Sequence, residues 1–253
     1  MISPSGLRQT RFRAADSASH LLLVRHGESE LTAATDDWRM VMGHADPPLH
    51  PHGRAQAERV AARLAGEALA AIYVTPLART RETAAPLLRL LGMEPRVEPD
   101  LREVHLGEWE GGRARRYFAE GHPMARRIME EERWDLPPGS EPDGEFRRRI
   151  TAAVAAIAGR HRGETVAVFS HGGVIGRILA EAAGSRRFAF TTPDNASISH
   201  LVVHGDRWTV RCFNDTAHLS ERFVDVPELP WDADGGADPG AQVPTTATGG
   251  SLE

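Results

Sequence analysis

A chain of 253 residues with 41% hydrophobic and 26% charged side chains has the balance of an ordinary globular protein and enough length to bury a substantial core. Its formal charge of −5 at pH 7 gives no support to a nucleic-acid footprint, which would be strongly basic. A single cysteine, Cys212, excludes an intrachain disulfide and any multi-cysteine metal site, and no apolar run approaches the roughly 18 residues of a membrane span.

Residues 1–18 carry Arg8, Arg11 and Arg13 but neither an apolar core nor periodicity, which predicts a flexible N-terminal arm rather than a secretory signal, and a cytoplasmic protein. Residues 21–24 read as a fully buried strand that runs straight into Arg25, His26 and Gly27. An arginine and a histidine therefore stand at a strand's C-terminal end, the edge where open α/β sheets bind ligands. Arginine supplies a permanent charge and a planar fork of donors; histidine supplies a nitrogen that is nucleophilic when neutral. Together they suit a phosphate. The long loop 28–51, with Trp38, Met40 and Met42, is expected to form a pocket wall.

Apolar spacing predicts a helix over 54–69, a strand over 71–74 and a helix over 77–91 closed by Gly92. Arg79 and Arg81 fall in that helix's first turn, where positive charge opposes the helix dipole; an anion shared by the helix end and an arginine would account for them. A short edge strand over 96–99 precedes an acidic, glycine-rich loop around Trp109, then a helical stretch over 113–133 and a Pro137-Pro138-Gly139 break. Asp143 reads as the cap of a helix over 144–161. Residues 165–169 repeat the opening grammar, since a buried strand ends in Ser170, His171, Gly172 and Gly173 before a helix over 174–183. Two strands, 198–203 and 208–213, form a hairpin through Gly205-Asp206, and Cys212 among them reads as a buried structural thiol. The Asp, Gly, Ala, Pro and Thr that follow predict a disordered tail over 227–253, leaving one α/β domain over 19–226.

Five stretches, LLLVRHGES at 21–29, GHADPPLHPHGRAQA at 43–57, TPLARTRETA at 75–84, LREVHLGEWEG at 101–111 and VAVFSHGGVI at 166–175, resemble in order the signature segments of the histidine phosphatase superfamily. The likeness is to its phosphoglycerate mutase-like members, phosphatase branch, and covers about residues 20–220. It implies a three-layer α/β/α sandwich with a mostly parallel central sheet and a cap segment over about 104–142. It also implies that His26 is the nucleophile and Glu103 the general acid and base, while Arg25, Arg79 and a protonated His171 hold the phosphoryl oxygens. Gly172, Ser29, Thr32 and Met42 are the further substrate-binding residues it implies, with no metal and no other cofactor.

Departures from the pattern matter too. Thr32 stands where family phosphatases commonly carry asparagine and Met42 where they carry glutamine, in a longer loop. The pocket is therefore expected to be altered and more apolar, with Trp38, Met40 and Met42 as lining. PGSEPDGEF at 138–146 replaces a Gly-Gly-Glu-Ser turn, with Glu141 in that glutamate's place. The function implied is hydrolysis of a small phosphorylated metabolite through a phosphohistidine. A cofactor-dependent phosphoglycerate mutase-type phosphotransferase and a noncatalytic phosphate-binding module are the alternatives. Expected partners are the small phosphorylated substrate and, at most, a second copy in a homodimer, with no nucleic acid and no membrane.

Overall fold

The computed structural model describes residues 11–30 and 38–219, so Thr32 and the predicted tail lie outside the described residues. Its strands are β1 (Ser19–Arg25), β2 (Met40–Val41), β3 (His44–Ala45), β4 (Leu69–Val74), β5 (Arg96–Val97), β6 (Thr165–Ser170), β7 (Ile198–His204) and β8 (Arg207–Asp215). Its helices are α1 (Pro51–Leu64), α2 (Ala78–Leu91), α3 (Arg113–Ala119), α4 (Pro123–Glu131), α5 (Asp143–Arg160) and α6 (Gly172–Ala183). Six strands make one sheet in the order β5-β4-β6-β1-β7-β8, and β7 alone among them runs against the others.

The period-2 alternation of strand side chains divides the core in two. Leu21, Leu23, Tyr73, Val166 and Val168 face α5 and α6, packing on Phe146, Ile150, Val154, Val174 and Ile178. Val24, Ile72, Val74, Ala167 and Phe169 face the opposite way, onto Val60 and Leu64 of α1 and Ala84 and Leu87 of α2. The result is the α/β/α layering implied by the resemblance. Each fully buried Leu or Ile contributes roughly 1.5–3 kcal/mol relative to exposure, so the two faces jointly fix the sheet. A smaller cluster, Trp109, Ala125 and Ile128 with Tyr117, Phe118 and Trp134 against it, holds α3 and α4 as a cap.

Several local expectations are corrected. The first helix starts at Pro51 rather than residue 54, because His50 accepts from the His52 amide and proline fits the first helical position, and it ends at Leu64 rather than 69. The stretch 113–133 is two helices, since Pro123 cannot continue α3 and instead opens α4 under a His122 cap. Asp143 does not cap α5; Pro142 takes that position, and the Asp143 carboxylate accepts from Arg177 at 2.7 and 3.2 Å. A guanidinium only 7% exposed outcompetes backbone amides for that carboxylate. Cys212 is exposed, because β8 is the last strand of the sheet and has an uncovered face. Among the described residues no helix is long and apolar enough to cross a membrane.

Loop and helix meet backbone to backbone just beyond β1. A Cβ on Gly53 would lie 2.0 Å from the Glu28 carbonyl oxygen, and one on Gly27 would lie 2.6 Å from the Gly53 oxygen. Helix propensity alone would make Gly53→Ala stabilising by about 1 kcal/mol. Overpacking against immovable backbone costs about 1–3 kcal/mol and should win. The variant is therefore expected to have a lower thermal unfolding midpoint than the parent; an unchanged or higher midpoint would contradict this reading of the contact.

Candidate active site

Parallel pairing of β1 with β6 places Arg25 opposite Ser170, so the next residues, His26 and His171, emerge side by side. Their ring centroids are 5.3 Å apart and both side chains are buried. His26 Nδ1 lies 2.7 Å from the Gly27 carbonyl oxygen. A carbonyl only accepts, so Nδ1 carries the proton and Nε2 keeps its lone pair. Supporting bonds fix this arrangement. The Gly27 amide donates to Thr83 Oγ1 at 2.9 Å, and Asn195 Nδ2 donates to the His26 carbonyl at 3.0 Å. His171 Nε2 lies 3.0 Å from Thr75 Oγ1, while its Nδ1 is buried without a hydrogen-bond partner among the described residues.

Burial pushes the His26 pKa well below the ordinary histidine value, and Arg79 and Arg25 push it further. His171 moves the same way, first through burial and then through Arg79, His26, His44 and Arg25. Both rings are therefore neutral at pH 7. For His26 this is the nucleophilic form. For His171 the neutral form differs from the protonated state implied by the resemblance, because burial and the nearby Arg79 disfavour its cation.

Two guanidinium groups and a carboxyl complete the arrangement. Arg79, in the first turn of α2 and 8% exposed, donates to the Ala45 carbonyl at 3.1 Å. Burial, partly offset by Glu103 and Asp46, lowers its pKa to about 10, so it stays charged at pH 7. The charge that opposes the helix dipole is balanced locally by Asp46, which accepts from the Ala78 amide at 2.7 Å. Arg25 donates to the Pro193 carbonyl and keeps a buried Nε without a partner among the described residues. Glu103 accepts from the Val104 amide at 3.0 Å and the Gly173 amide at 3.2 Å. A Cβ at Gly173 would come within 2.7 Å of the Glu103 carboxylate, so this carboxyl needs glycine beneath it.

Arg25, His26, Arg79 and Glu103 line a cavity of about 240 Å³, and the His171 ring packs edge-to-face against that of His26. Other predicted residues fare differently. Gly173 lines the cavity while Gly172 packs beside Arg25, 3.4 Å from its Nε to an added Cβ. Ser29 is buried and accepts from Arg115 at 2.6 Å rather than facing the cavity. Of the three loop residues expected as apolar lining, Trp38 is there. Met40 and Met42 are not: Met40 starts β2 and Met42 lies on the turn into β3, both more than half exposed, with Met42 in the left-handed region at φ 51°.

Sequence reasoning missed His44, Glu110 and Arg115, which also line the cavity, and the aromatic walls Trp109 and Trp134. Burial raises the Glu110 pKa, but bonds from His44 at 3.3 Å and from the Leu106 and Ala45 amides outweigh it and hold the carboxyl below its usual range. A signal for Arg115 did exist. Like Arg79 it lies in a helix's first turn, but Arg113 and Arg116 flank it and the sequence gives no means to choose the inward one.

The family model described as histidine phosphatase superfamily, branch 1, matches residues 21–216. The chain is 32% identical over 220 residues to phosphoglycerate mutase-like protein 4 of Arabidopsis thaliana, covering 85% of this chain and 94% of that one. It is 30% identical over 212 residues to phosphoserine phosphatase 1 of Hydrogenobacter thermophilus, covering 81% and 97%. Among solved structures it is similar to a mycobacterial glucosyl-3-phosphoglycerate phosphatase, with a TM-score of 0.64, 27% identity, and coverage of 79% of this chain and 100% of that one.

Two imidazoles held neutral in the folded protein have a consequence for stability. In the unfolded chain they protonate near pH 6.5, so below that pH the unfolded state binds more protons and stability falls. The loss is up to about 1.4 kcal/mol per pH unit for each ring until the folded pKa is reached; above pH 6.5 these rings add no slope. In urea unfolding between pH 5 and 7.5, His171→Gln should show a shallower decline than the parent by about one proton. Identical slopes would contradict the assignment.

Proposed function

The chain belongs to branch 1 of the histidine phosphatase superfamily, and from that membership we propose that it is a phosphomonoesterase acting on a small phosphorylated metabolite through a phosphohistidine on His26. The observation that carries the reading is the His26 ring itself: a neutral imidazole with Nδ1 committed to a backbone carbonyl and Nε2 open, lining a cavity with two guanidinium groups. His26 Nε2 attacks phosphorus as the P–O bond to the leaving group breaks, with little covalent work for the protein beyond positioning and charge. Arg25 and Arg79 hold the non-bridging oxygens. In this reading the Thr75 hydroxyl, 3.0 Å from Nε2 of His171, donates to it, so that the other ring nitrogen carries a proton and donates to a third oxygen.

Glu103 gives its proton to the departing alkoxide, which leaves as the alcohol. The resulting carboxylate then takes a proton from water, whose oxygen attacks the phosphohistidine, returning His26 and releasing inorganic phosphate. The cavity of about 240 Å³ falls below the roughly 300–1,000 Å³ of sites for drug-sized ligands, which favours a small leaving group. Relatives and similar structures named as phosphatases include those for phosphoserine, glucosyl-3-phosphoglycerate and α-ribazole phosphate, which supports hydrolysis of a phosphate ester without choosing among them.

Release of inorganic phosphate from p-nitrophenyl phosphate, without bisphosphoglycerate, is the expected activity of the purified protein. His26→Ala should abolish it and Glu103→Gln should slow it by about 10²–10⁴-fold, with far-UV circular dichroism unchanged in both. Full turnover in His26→Ala would remove His26 as nucleophile, and phosphoryl transfer between phosphoglycerates exceeding hydrolysis would favour a mutase.

A further inference from the structure

The backbone that carries Glu103 makes no ladder of its own. Residues 102–105 lie in neither helix nor strand, just after the single turn Pro99–Leu101. Carbonyls without backbone donors need partners from elsewhere, and side chains supply them here. Arg149 Nη1 donates to the Asp100 and Arg102 carbonyls at 2.6 and 2.8 Å, and Nη2 donates to the Glu103 carbonyl at 2.9 Å. The Leu101 carbonyl between them accepts from Ser170 Oγ at 2.8 Å. Four successive carbonyls are therefore held by two side chains, both from outside the loop.

The remaining donors of the same guanidinium complete the fork. Nε and Nη2 of Arg149 donate to Glu141 Oε1 and Oε2 at 2.6 and 2.7 Å, so all five of its N–H groups are engaged. Glu141 then closes on the loop itself: its amide donates to the His105 carbonyl at 2.8 Å, and its carboxylate accepts from the His105 amide at 3.4 Å. Burial raises the Glu141 pKa, but the bond from Arg149 and its charge outweigh that and hold the carboxyl below its usual range. Arg149 is fixed from behind. It springs from α5, its guanidinium carbon lies 5.0 Å from the centroid of the core ring Phe146, and its side chain is only 10% exposed.

A buried ion pair is by itself weak evidence for stability, since apolar packing of the same volume does as well. What this pair supplies is position. The loop it grips carries Glu103, whose carboxylate reaches the cavity and accepts from the Val104 and Gly173 amides. We propose that Arg149 is a positioning residue: through the Asp100, Arg102 and Glu103 carbonyls, and with Glu141 as its partner, it holds the Glu103 carboxyl where a proton passes to the leaving group. Arg149 itself is not part of the cavity lining, so it acts only through that carboxyl. The proposal rests on the phosphomonoesterase reading for the role of Glu103 as acid.

Two variants test it. Arg149→Lys keeps the charge but loses the planar fork, and Glu141→Gln keeps the size but loses the ion pair. Circular dichroism checks that each folds, and Glu141→Gln carries the test should Arg149→Lys not fold. Kinetics compare p-nitrophenyl phosphate, whose phenolate leaves unaided, with benzyl phosphate, whose alkoxide needs a proton. Formation of the phosphohistidine, the step in which Glu103 acts as acid, is what kcat/KM reports. Each variant should lower it for benzyl phosphate by about 10–100-fold, the scale of a group displaced by about an ångström, and leave it close to the parent's for p-nitrophenyl phosphate. A second readout needs no activity. The Gly173 amide stands in the first turn of α6, where it has no helical acceptor, and its bond to Glu103 Oε2 protects it. Its hydrogen exchange should accelerate in both variants while the amides of β1 and β6 keep the parent rates. Equal losses on the two esters, no loss on either, or an unchanged Gly173 amide in the folded variants overturns the proposal. A parent that releases phosphate from neither ester would contradict the hydrolase reading, and the Gly173 amide would still decide the role of Arg149.

Discussion

Parallel pairing between β1 and β6, with Arg25 opposite Ser170, sets the level at which both strands release their chains. The histidine that follows each strand is thereby brought to within one ring's width of the other without either being chosen for contact. A one-residue slip would turn every side chain of a strand to the opposite face and break both cores at once, which is why the register is so well determined. The neighbouring strand obeys the same logic. β4 lies against β6, and Thr75, just past its end, meets the back of His171 while α2 carries Arg79 to the same level. Three adjacent strand ends therefore assemble a site from residues separated by half the chain.

Gathering cations at the edge of a closed core is unfavourable, and the site limits that cost in two ways. The imidazoles of His26 and His171 are kept neutral, so beside them the positive charge rests on the guanidinium groups. Each guanidinium in turn donates to a backbone carbonyl, Ala45 for Arg79 and Pro193 for Arg25, which satisfies part of its donor capacity but none of its charge. The buried Nε of Arg25 and Nδ1 of His171 remain without partners among the described residues. In the proposed function a tetrahedral dianion offsets these deficits, so the free protein holds in reserve part of the interaction that would bind a phosphoryl group.

How much of this was legible in the sequence depended on how directly each side chain follows from local structure. Arg25, His26 and His171 sit at strand ends that apolar runs announce, and Arg79 sits in a helix turn where its charge is out of place. Glu103 could be singled out only by the family resemblance. What the sequence could not show was direction. Met42 and Trp38 belong to the same loop and differ only in which way a two-strand turn faces them, and a row of arginines says nothing about which one points inward. Cys212 and Asp143 were misread for related reasons: one lies on a strand whose outer face nothing covers, the other answers an arginine 34 positions away. Both outcomes belong to tertiary packing rather than to local pattern.

The central claim is that His26 stands neutral with its proton on Nδ1 and its lone pair on Nε2, ready to attack phosphorus. Long-range ¹H–¹⁵N correlation spectra of protein labelled with ¹⁵N-histidine read this directly. At pH 7 the account predicts a pyrrole-type shift for Nδ1 and a pyridine-type shift for Nε2 of His26. A proton on Nε2, or an imidazolium with both nitrogens protonated, would contradict it.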